Sequence, residues 1–216
     1  MKTALTLADI RPLAAKLLAD FLAANDEITA LDAALGDGDL GVTCRLGLQA
    51  IVGLPDPPAE GLGDSLLKAG MAFNSAGAST YGALVATGAM RAAKHAKDNA
   101  VEAWDLAAIA AGAEAAAQGI MQRGGAQAGD KTLLDALLPA VEALKSAVSE
   151  GRSLAEALQA GARAAADGAA ATTTWQSKFG RAAWLQERTI GTPDGGATVV
   201  ALALKSVAEY VAGEAG

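Results

Sequence analysis

The sequence predicts an all-α protein of about eight helices in an up-and-down arrangement, with no clear boundary to divide residues 1–216 into more than one domain. Apolar residues recur at helical spacing in nearly every segment. They make up 52% of the chain and aromatic residues only 4%, so the core consists mainly of small aliphatic side chains that let helices pack closely. No run of β-branched and aromatic residues alternates at period two for long enough to form a sheet.

The first predicted helix begins after Thr6, and Asp9 lies three residues later as a capping-box partner. Its apolar stripe consists of Ile10, Leu13, Leu17 and Phe21. A second capping box, Ser153 with Glu156, begins a later helix. Beyond the first helix, helical runs are expected at about 41–53, 61–74, 79–97, 102–122, 131–149, 153–171, 178–188 and 196–212.

The uncharged stretch 69–90 is interpreted as a glycine-broken pair of buried helices. A membrane span is disfavoured because the Asn, Ser, Thr and Gly residues of this stretch would leave polar groups poorly compensated in lipid.

The charge balance excludes some classes of partner. The chain has 17 basic and 24 acidic residues, a formal charge of −7, which argues against nucleic acid and an anionic membrane surface. A small phosphate-bearing ligand remains compatible with this charge if metal ions mediate the contact. Cys44 is the only cysteine, and the first 25 residues lack the apolar region of a signal peptide, so a reducing, cytoplasmic location is expected.

Four connections between the predicted helices are rich in Gly, Asp, Ser and Thr. They are "GDGDLG" (36–41), "SAGAST" (75–80), "GGAQAGDKT" (124–132) and "GTPDGGAT" (191–198). Because alternate connections of an antiparallel bundle lie at the same end, these loops are expected to converge on one ligand site.

Three aspartates near the first loop, Asp32, Asp37 and Asp39, are candidate metal ligands. Clustered carboxylates without His or Cys suit Mg²⁺ or Ca²⁺ rather than zinc. The intervening glycines Gly36 and Gly38 permit positive φ, so both later carboxylates can turn toward one point. The alternative interpretation is a solvent-exposed turn, for which Asp and Gly are also typical.

The other loops are less specific. "GGAQAGDKT" is not a P-loop, since Asp130 interrupts the pattern and no strand precedes it, but its amides near Lys131 could face a phosphate or another polar group. Ser79 and Thr80 form an anion site or a helix cap, and Asp194 is expected to cap the last helix. The single histidine, His95, lies among charges and is expected at the surface. With no nucleophile–histidine set, phosphoryl transfer suits the chain better, because it relies on positioning and charge neutralisation.

Taken in order, the loops resemble those of the nucleotide-binding L subunit of dihydroxyacetone kinase and the equivalent C-terminal domain of single-chain ketose kinases. The resemblance covers essentially the whole chain and is strongest in "LDAALGDGDLG", "AGDKTLLDAL" and "GRAAWLQERTIGTPDGGAT". It implies a barrel of eight antiparallel amphipathic helices with the nucleotide, ADP or ATP, at one end. It also implies a separate ketose-binding K-type subunit and, in one mode of the family, a phosphotransferase-system M-type phosphoryl donor.

The resemblance also assigns roles to residues. Asp32, Asp37 and Asp39 would hold two Mg²⁺ ions that bridge the nucleotide phosphates, and Arg181 would be the catalytic cation. The nucleotide-binding positions would be Leu40, Gly41, Thr43, Ser79, Thr80, Gly124, Leu133, Arg181, Asp194 and Gly196.

Some positions depart from the family pattern. Leu40 stands where the family usually has His, and Val42 and Thr43 replace Thr and Asn. "AGASTYGAL" lacks a Gly and a Pro of the usual motif, and Gly195 replaces the Pro of "DPGA". The acceptor could therefore be dihydroxyacetone or another short ketose such as a tetrulose. A non-catalytic helical module that senses nucleotide or a phosphorylated metabolite is the alternative function, and a purely structural bundle is a third.

Overall fold

Residues 2–213 are described by a computed structural model, and in this range the chain folds into nine α-helices and three short 3₁₀ segments. The 3₁₀ segments are Leu7–Asp9, Thr172–Thr174 and Arg181–Thr189. The α-helices are α1 (Ile10–Ala23), α2 (Asn25–Leu35), α3 (Leu40–Val52), α4 (Leu62–Ala76), α5 (Thr80–Asp98), α6 (Leu106–Gly124), α7 (Leu134–Ser149), α8 (Leu154–Ala171) and α9 (Gly195–Ala212).

Eight of the helices close into a barrel. From α3 to α9 each helix packs against the next, and α1 contacts both α3 and α9, which closes the ring. The short helix α2 follows α1 after a single residue and also contacts α3 and α9, so α1 and α2 together occupy one position in the ring of helices. The all-α prediction and the prediction of about eight antiparallel helices are confirmed. Within residues 2–213 the only extended pairing is an isolated bridge between Leu5 and Trp104.

Four groups of buried apolar side chains hold the barrel together, and two of them are the largest. One joins α6 to α9 through residues such as Leu144, Leu158 and Val211, and the other joins α1 to α4 and α9 around Phe21 and Phe73. Glycine and alanine supply close approaches: a Cβ on Gly70 of α4 would lie 2.5 Å from the Cβ of Ala89 on α5. These contacts explain why a core so poor in aromatic residues can still pack densely.

The capping residues read from the sequence predicted most helix starts correctly. The Asp9 carboxylate accepts hydrogen bonds from the Thr6 N–H (2.8 Å) and hydroxyl (3.0 Å). Ser153 and Glu156 form the second capping box, with the Ser153 N–H donating to Glu156 Oε2 at 3.0 Å. Residues 69–90 form parts of α4 and α5 separated by a turn at Gly77, as predicted.

Three helix predictions were wrong. The run expected from about residue 102 begins at Leu106, after the cap residue Asp105, whose carboxylate accepts a hydrogen bond from the Ala108 N–H at 2.8 Å. The run expected at 178–188 is instead the 3₁₀ segment Arg181–Thr189, preceded by Gly180 at φ 65° and interrupted by Gln186 at φ 50°. The helix expected from residue 131 begins at Leu134, because Lys131 has φ 62° and belongs to the preceding turn. Positive φ at a non-glycine residue cannot continue a right-handed helix.

Helix α9 is the one helix in the described range that is long and apolar enough to span a membrane. It packs against α1, α7 and α8 and is one of the helices that form the barrel.

Candidate functional site

The aspartate loop lies between α2 and α3 and brings three carboxylates together. Asp32 is in the last turn of α2, and Asp37 and Asp39 follow in the loop. One oxygen from each carboxylate lies within 4.8 Å of the others. Oxygen ligands on opposite sides of one octahedral Mg²⁺ ion are about 4.2 Å apart, so small side-chain adjustments suffice for ligation. The residues therefore fit a hard divalent cation.

Glycine is required at two positions of this loop. Gly38 has φ 75°, in the left-handed region, and a Cβ at Gly36 would lie 2.9 Å from the Asp32 Oδ1 atom. The Asp32 carboxylate also accepts a hydrogen bond from the Leu40 N–H at 3.0 Å, which fixes it against the start of α3. Asp37 forms an ion pair with Arg181, which comes from the distant 3₁₀ segment. The loop thus presents clustered negative charge with one guanidinium beside it.

A cavity of about 940 Å³ opens next to the aspartates and is lined by all four Gly-rich connections. This volume is at the upper end of the range for small-molecule sites. Of the positions expected from sequence, those that line it are Asp32, Asp37, Asp39, Leu40, Ser79, Thr80, Gly124, Leu133, Arg181, Asp194 and Gly196. The expected convergence of the loops is therefore confirmed.

Gly41 and Thr43 do not line this cavity. Both are buried in the first turn of α3, where a Cβ on Gly41 would lie 2.5 Å from the Thr29 Oγ1 atom. The Thr43 N–H donates to the Asp39 carbonyl at 2.8 Å. The structure therefore places these two residues behind the aspartate loop, where they fix its junction with α3.

Two polar side chains that line the cavity also cap helices. The Ser79 hydroxyl accepts from the Gly82 N–H at 3.0 Å at the start of α5. Asp194 accepts from the Ala197 N–H at 2.7 Å at the start of α9. Burial raises the pKa of the Asp194 carboxyl to about 6, opposed by the Ala197 hydrogen bond. Both expected caps are confirmed.

The amides of the "GGAQAGDKT" turn are largely used within the turn. The Asp135 carboxylate accepts from the N–H groups of Gly129 (2.5 Å) and Thr132 (2.7 Å), and Asp130 accepts from the Gln127 N–H at 2.7 Å. Of the two partners expected from the sequence, a phosphate or another polar group, these three N–H groups therefore have the second, a carboxylate of the same chain.

Lys131 is a structural residue that the sequence did not reveal. Its side chain is 1% exposed, and its ammonium donates to the carbonyls of Trp175 (3.0 Å), Thr189 (2.5 Å) and Thr192 (2.7 Å). Burial lowers the pKa of Lys131. The lysine ties the turn before α7 to the long connection between α8 and α9, which carries Arg181. Its only sequence signal was its place in a Gly-rich turn, which gives no hint of burial.

Cys44 and His95, the single cysteine and histidine of the sequence, both lie away from the cavity. Cys44 is buried in the apolar group around Phe73, and burial raises the pKa of its thiol to about 12. His95 lies near the C-terminal end of α5, the end remote from the cavity-lining residues Ser79 and Thr80. Neither residue contributes to the cavity.

Comparison with known proteins assigns the chain a family. A profile of the DAK2 domain matches residues 34–209. The chain is 38% identical over 200 residues to a D-erythrulose kinase of Mycolicibacterium smegmatis, a match that covers 91% of this chain and 34% of the kinase. It is 33% identical over 189 residues to DhaL, the ADP-binding subunit of the PEP-dependent dihydroxyacetone kinase of Escherichia coli, covering 87% of this chain and 89% of DhaL. The chain thus spans about a third of the first kinase but most of the second protein.

Solved structures agree with the fold. The native dihydroxyacetone kinase of C. freundii superposes with a TM-score of 0.71 at 24% identity, over 97% of this chain and 36% of the kinase. The same kinase in complex with AMP-PNP and Mg²⁺ superposes with a TM-score of 0.69 at 25% identity, over 94% of this chain and 34% of that chain.

Proposed function

The chain belongs to the DAK2 domain family, and on that premise we propose that it is the nucleotide-binding subunit of a Mg²⁺-dependent ketose phosphotransferase. It binds ADP or ATP and delivers the γ-phosphate to a short ketose held on a separate K-type subunit. The names of the relatives support this proposal, since one is a D-erythrulose kinase and another is an ADP-binding subunit of a dihydroxyacetone kinase. The acceptor is dihydroxyacetone or a tetrulose such as erythrulose.

The observation that carries the proposal is the cluster of three carboxylates at the edge of the cavity. Alone, Asp32, Asp37 and Asp39 would repel a polyphosphate. A divalent cation reverses this relation, because carboxylate and phosphate oxygens are both ligands that Mg²⁺ prefers. When bound, two Mg²⁺ ions would neutralise and orient the phosphates. The carboxylates of Asp32, Asp37 and Asp39 would hold them.

The remaining cavity residues have distinct roles in this proposal. Arg181 is the catalytic cation, since its pairing with Asp37 places its guanidinium beside the proposed metal site. The nucleotide contacts are Leu40, Ser79, Thr80, Gly124, Leu133, Asp194 and Gly196, all in the lining. Gly41 and Thr43 act from behind, through the start of α3, rather than by lining the cavity.

The proposal assigns the acceptor to another protein because the cavity has no residue suited to bind a ketose covalently. Neither His nor Cys is among the described residues that line it. One relative is named as the ADP-binding subunit of a dihydroxyacetone kinase, and we propose that nucleotide binding and ketose binding are likewise divided between two proteins here. We further propose that the protein is cytoplasmic and that it has no nucleic-acid or membrane partner. In one mode of the proposed function, a phosphotransferase-system protein is the phosphoryl donor.

One observation favours the alternative of a non-catalytic sensing module. Leu40, at a position where the family usually has His, is 6% exposed and packs in the apolar group around Phe21 and Val199. The cavity therefore has an apolar side chain where a polar one is usual. A module with the same metal site would still bind nucleotide, but it would not transfer phosphate.

A reconstitution experiment separates the two functions. The purified chain is mixed with MgATP, a ketose and the ketose-binding subunit from the same organism, and sugar phosphate is followed by ³¹P NMR. Dihydroxyacetone and erythrulose are tested in parallel. If ATP is not used, the assay is repeated with the bound ADP and a phosphotransferase-system donor. Formation of sugar phosphate only when both proteins are present supports the proposal. Nucleotide binding without transfer from either donor would favour the sensing module.

A further inference from the structure

We propose that Tyr81 is a further nucleotide-binding residue of the cavity, and that its hydroxyl forms a hydrogen bond with the ribose of the bound ADP or ATP. This inference rests on the proposed function, because it concerns the ligand of the same site. It adds a residue that distinguishes a ribonucleotide from a deoxyribonucleotide, a property that the metal ligands do not supply.

The two tyrosines of the chain differ in the contacts of their hydroxyls. The Tyr210 hydroxyl donates to the Asp9 carboxylate at 2.7 Å. The Tyr81 hydroxyl forms no hydrogen bond with residues 2–213, although the residue is half-buried. All the buried side-chain nitrogen and oxygen atoms of this range have a hydrogen-bond partner, so the unpaired hydroxyl of Tyr81 is not a buried atom. Tyr81 lines the cavity, and its hydroxyl is therefore open to a ligand there.

An unpaired hydroxyl is unusual for a tyrosine whose ring is packed in apolar surroundings. Such a hydroxyl generally has a hydrogen-bond partner, whereas phenylalanine fills the same space without needing one. Burial raises the pKa of the Tyr81 hydroxyl well above its usual value, so the group stays neutral. A neutral phenol both donates and accepts a hydrogen bond, as a ribose hydroxyl does. The two groups are therefore suited to bind each other.

The packing of the Tyr81 ring places it between the two ends expected for the nucleotide. The ring contacts two groups of buried apolar side chains. One contains Leu40, whose N–H donates to Asp32, one of the proposed metal ligands. The other contains Ile120 and Leu133, which line the cavity and offer an apolar wall for the base. Because the ribose joins the phosphates to the base, it is the part of the nucleotide next to Tyr81.

The start of α9 borders the ring on a further side. A Cβ at Gly196 would lie 3.5 Å from Tyr81 Cε2 and 3.2 Å from Asp194 Oδ1. Packing against α9 and the two apolar groups fixes the ring, so the hydroxyl is in position before the nucleotide binds. In "AGASTYGAL", Tyr81 occupies the position of the Pro that the usual motif contains. The hydroxyl is therefore one of the departures of this chain from the family pattern.

Isothermal titration of the EDTA-stripped full chain, with Mg²⁺ added, tests the inference. The ligands are ADP, 2′-deoxy-ADP, 3′-deoxy-ADP and inorganic pyrophosphate, and the proteins are the unaltered chain, Tyr81→Phe and Tyr210→Phe. Tyr210→Phe is the matched control, since it removes the hydroxyl of the other tyrosine, which does not line the cavity. The free energy of unfolding of each protein is measured in urea.

The unaltered chain should bind ADP about three- to tenfold more tightly than at least one of the deoxy analogues, the range for one net hydrogen bond. Tyr81→Phe should lose the same factor for ADP, bind that analogue within about twofold of the unaltered chain, and keep its affinity for pyrophosphate. Its free energy of unfolding should not decrease, because the hydroxyl has no partner among residues 2–213. Tyr210→Phe should show the reverse, a lower free energy of unfolding with unchanged ADP affinity, since it loses the hydrogen bond to Asp9.

Equal affinity of the unaltered chain for ADP and both deoxy analogues would overturn the inference, whatever the variants show. An ADP affinity of Tyr81→Phe equal to that of the unaltered chain would also overturn it. An equal loss of affinity for ADP and pyrophosphate in Tyr81→Phe would contradict the assignment to the ribose, since the hydroxyl would then contact the phosphates. If the unaltered chain binds neither ADP nor pyrophosphate with Mg²⁺, the proposed function itself fails.

Discussion

Substitution of the buried Lys131 by Met should destabilise the connection that carries Arg181. The ammonium donates to the carbonyls of Trp175, Thr189 and Thr192 at 2.5 to 3.0 Å. Met fills a similar volume without a donor, so three carbonyls lose their partner. Hydrogen bonds to a charged group contribute about 1.5 to 3 kcal/mol each, but removal of a buried ammonium also relieves its desolvation penalty. The expected net loss is about 3 kcal/mol in the free energy of unfolding.

The assay is chemical and thermal unfolding followed by circular dichroism. For a chain of this length a loss of about 3 kcal/mol corresponds to a decrease in Tm of roughly 6 to 12 °C. The matched control is Lys178→Met on the same connection, since Lys178 is 61% exposed and pairs with Asp130. An exposed pair contributes at most about 1 kcal/mol, so this control should change Tm little.

Limited proteolysis adds a local measurement. The Lys131→Met variant should be cleaved between residues 175 and 192 faster than the Lys178→Met variant, because the lost hydrogen bonds end in that range. Equal stability and equal cleavage of the two variants would refute the role assigned to Lys131.

Three further predictions concern a buried carboxylate, a loop glycine and the arginine. Burial alone would raise the pKa of Asp9, but hydrogen bonds from Lys2, Thr6 and Tyr210 lower it from 3.8 to about 2. The ionised group should therefore stabilise the fold by about 2 kcal/mol at pH 7. The difference in free energy of unfolding between the unaltered chain and Asp9→Asn, measured in urea, should disappear as the pH falls from about 4 to 2. A difference that does not depend on pH would refute this. Gly38 has φ 75°, so Gly38→Ala should lower the free energy of unfolding by about 1 kcal/mol and weaken Mg²⁺-dependent ADP binding at least about tenfold in calorimetry. The control is Gly151→Ala, at φ 66° between α7 and α8, which should lower the free energy of unfolding without changing ADP binding. Arg181→Gln should lower the rate of phosphoryl transfer in the reconstituted system about a hundredfold or more, with a much smaller change in MgATP affinity; an unchanged rate would remove Arg181 from the catalytic role.

The sequence predicted the features that depend on local chemistry. Apolar spacing indicated the helices, and the capping residues Thr6, Ser79, Ser153 and Asp194 were recognised because each acts within three or four residues of itself. Convergence of the four loops followed from the alternation of helix direction. The aspartate cluster could be proposed because the side chains are close in sequence.

Features that depend on distant contacts were not predicted. Lys131 is buried by carbonyls 44 to 61 residues away, and no local pattern encodes such a partner. The segment 178–188 has helical composition, but positive φ at Gly180 and Gln186 and its contact with α2 favour a 3₁₀ conformation. The sequence left open whether the amides of the turn before α7 face a phosphate or another polar group. It does not show that Asp130 and Asp135 accept the hydrogen bonds of residues 127, 129 and 132.

The central claim is that Asp32, Asp37 and Asp39 bind phosphates through Mg²⁺, and isothermal titration of EDTA-stripped protein with ADP and ATP tests it most directly. Each titration is performed with and without Mg²⁺ on the unaltered chain, on Asp37→Asn and on Asp167→Asn, which makes the same substitution at an exposed residue of α8 outside the cavity. The account predicts that the unaltered chain binds ADP and ATP only with Mg²⁺. Asp37→Asn should lose this nucleotide binding and Asp167→Asn should keep it, and the helical circular dichroism should be the same for all three proteins. Nucleotide binding that is equally strong without Mg²⁺, or unaffected by Asp37→Asn, would contradict the account.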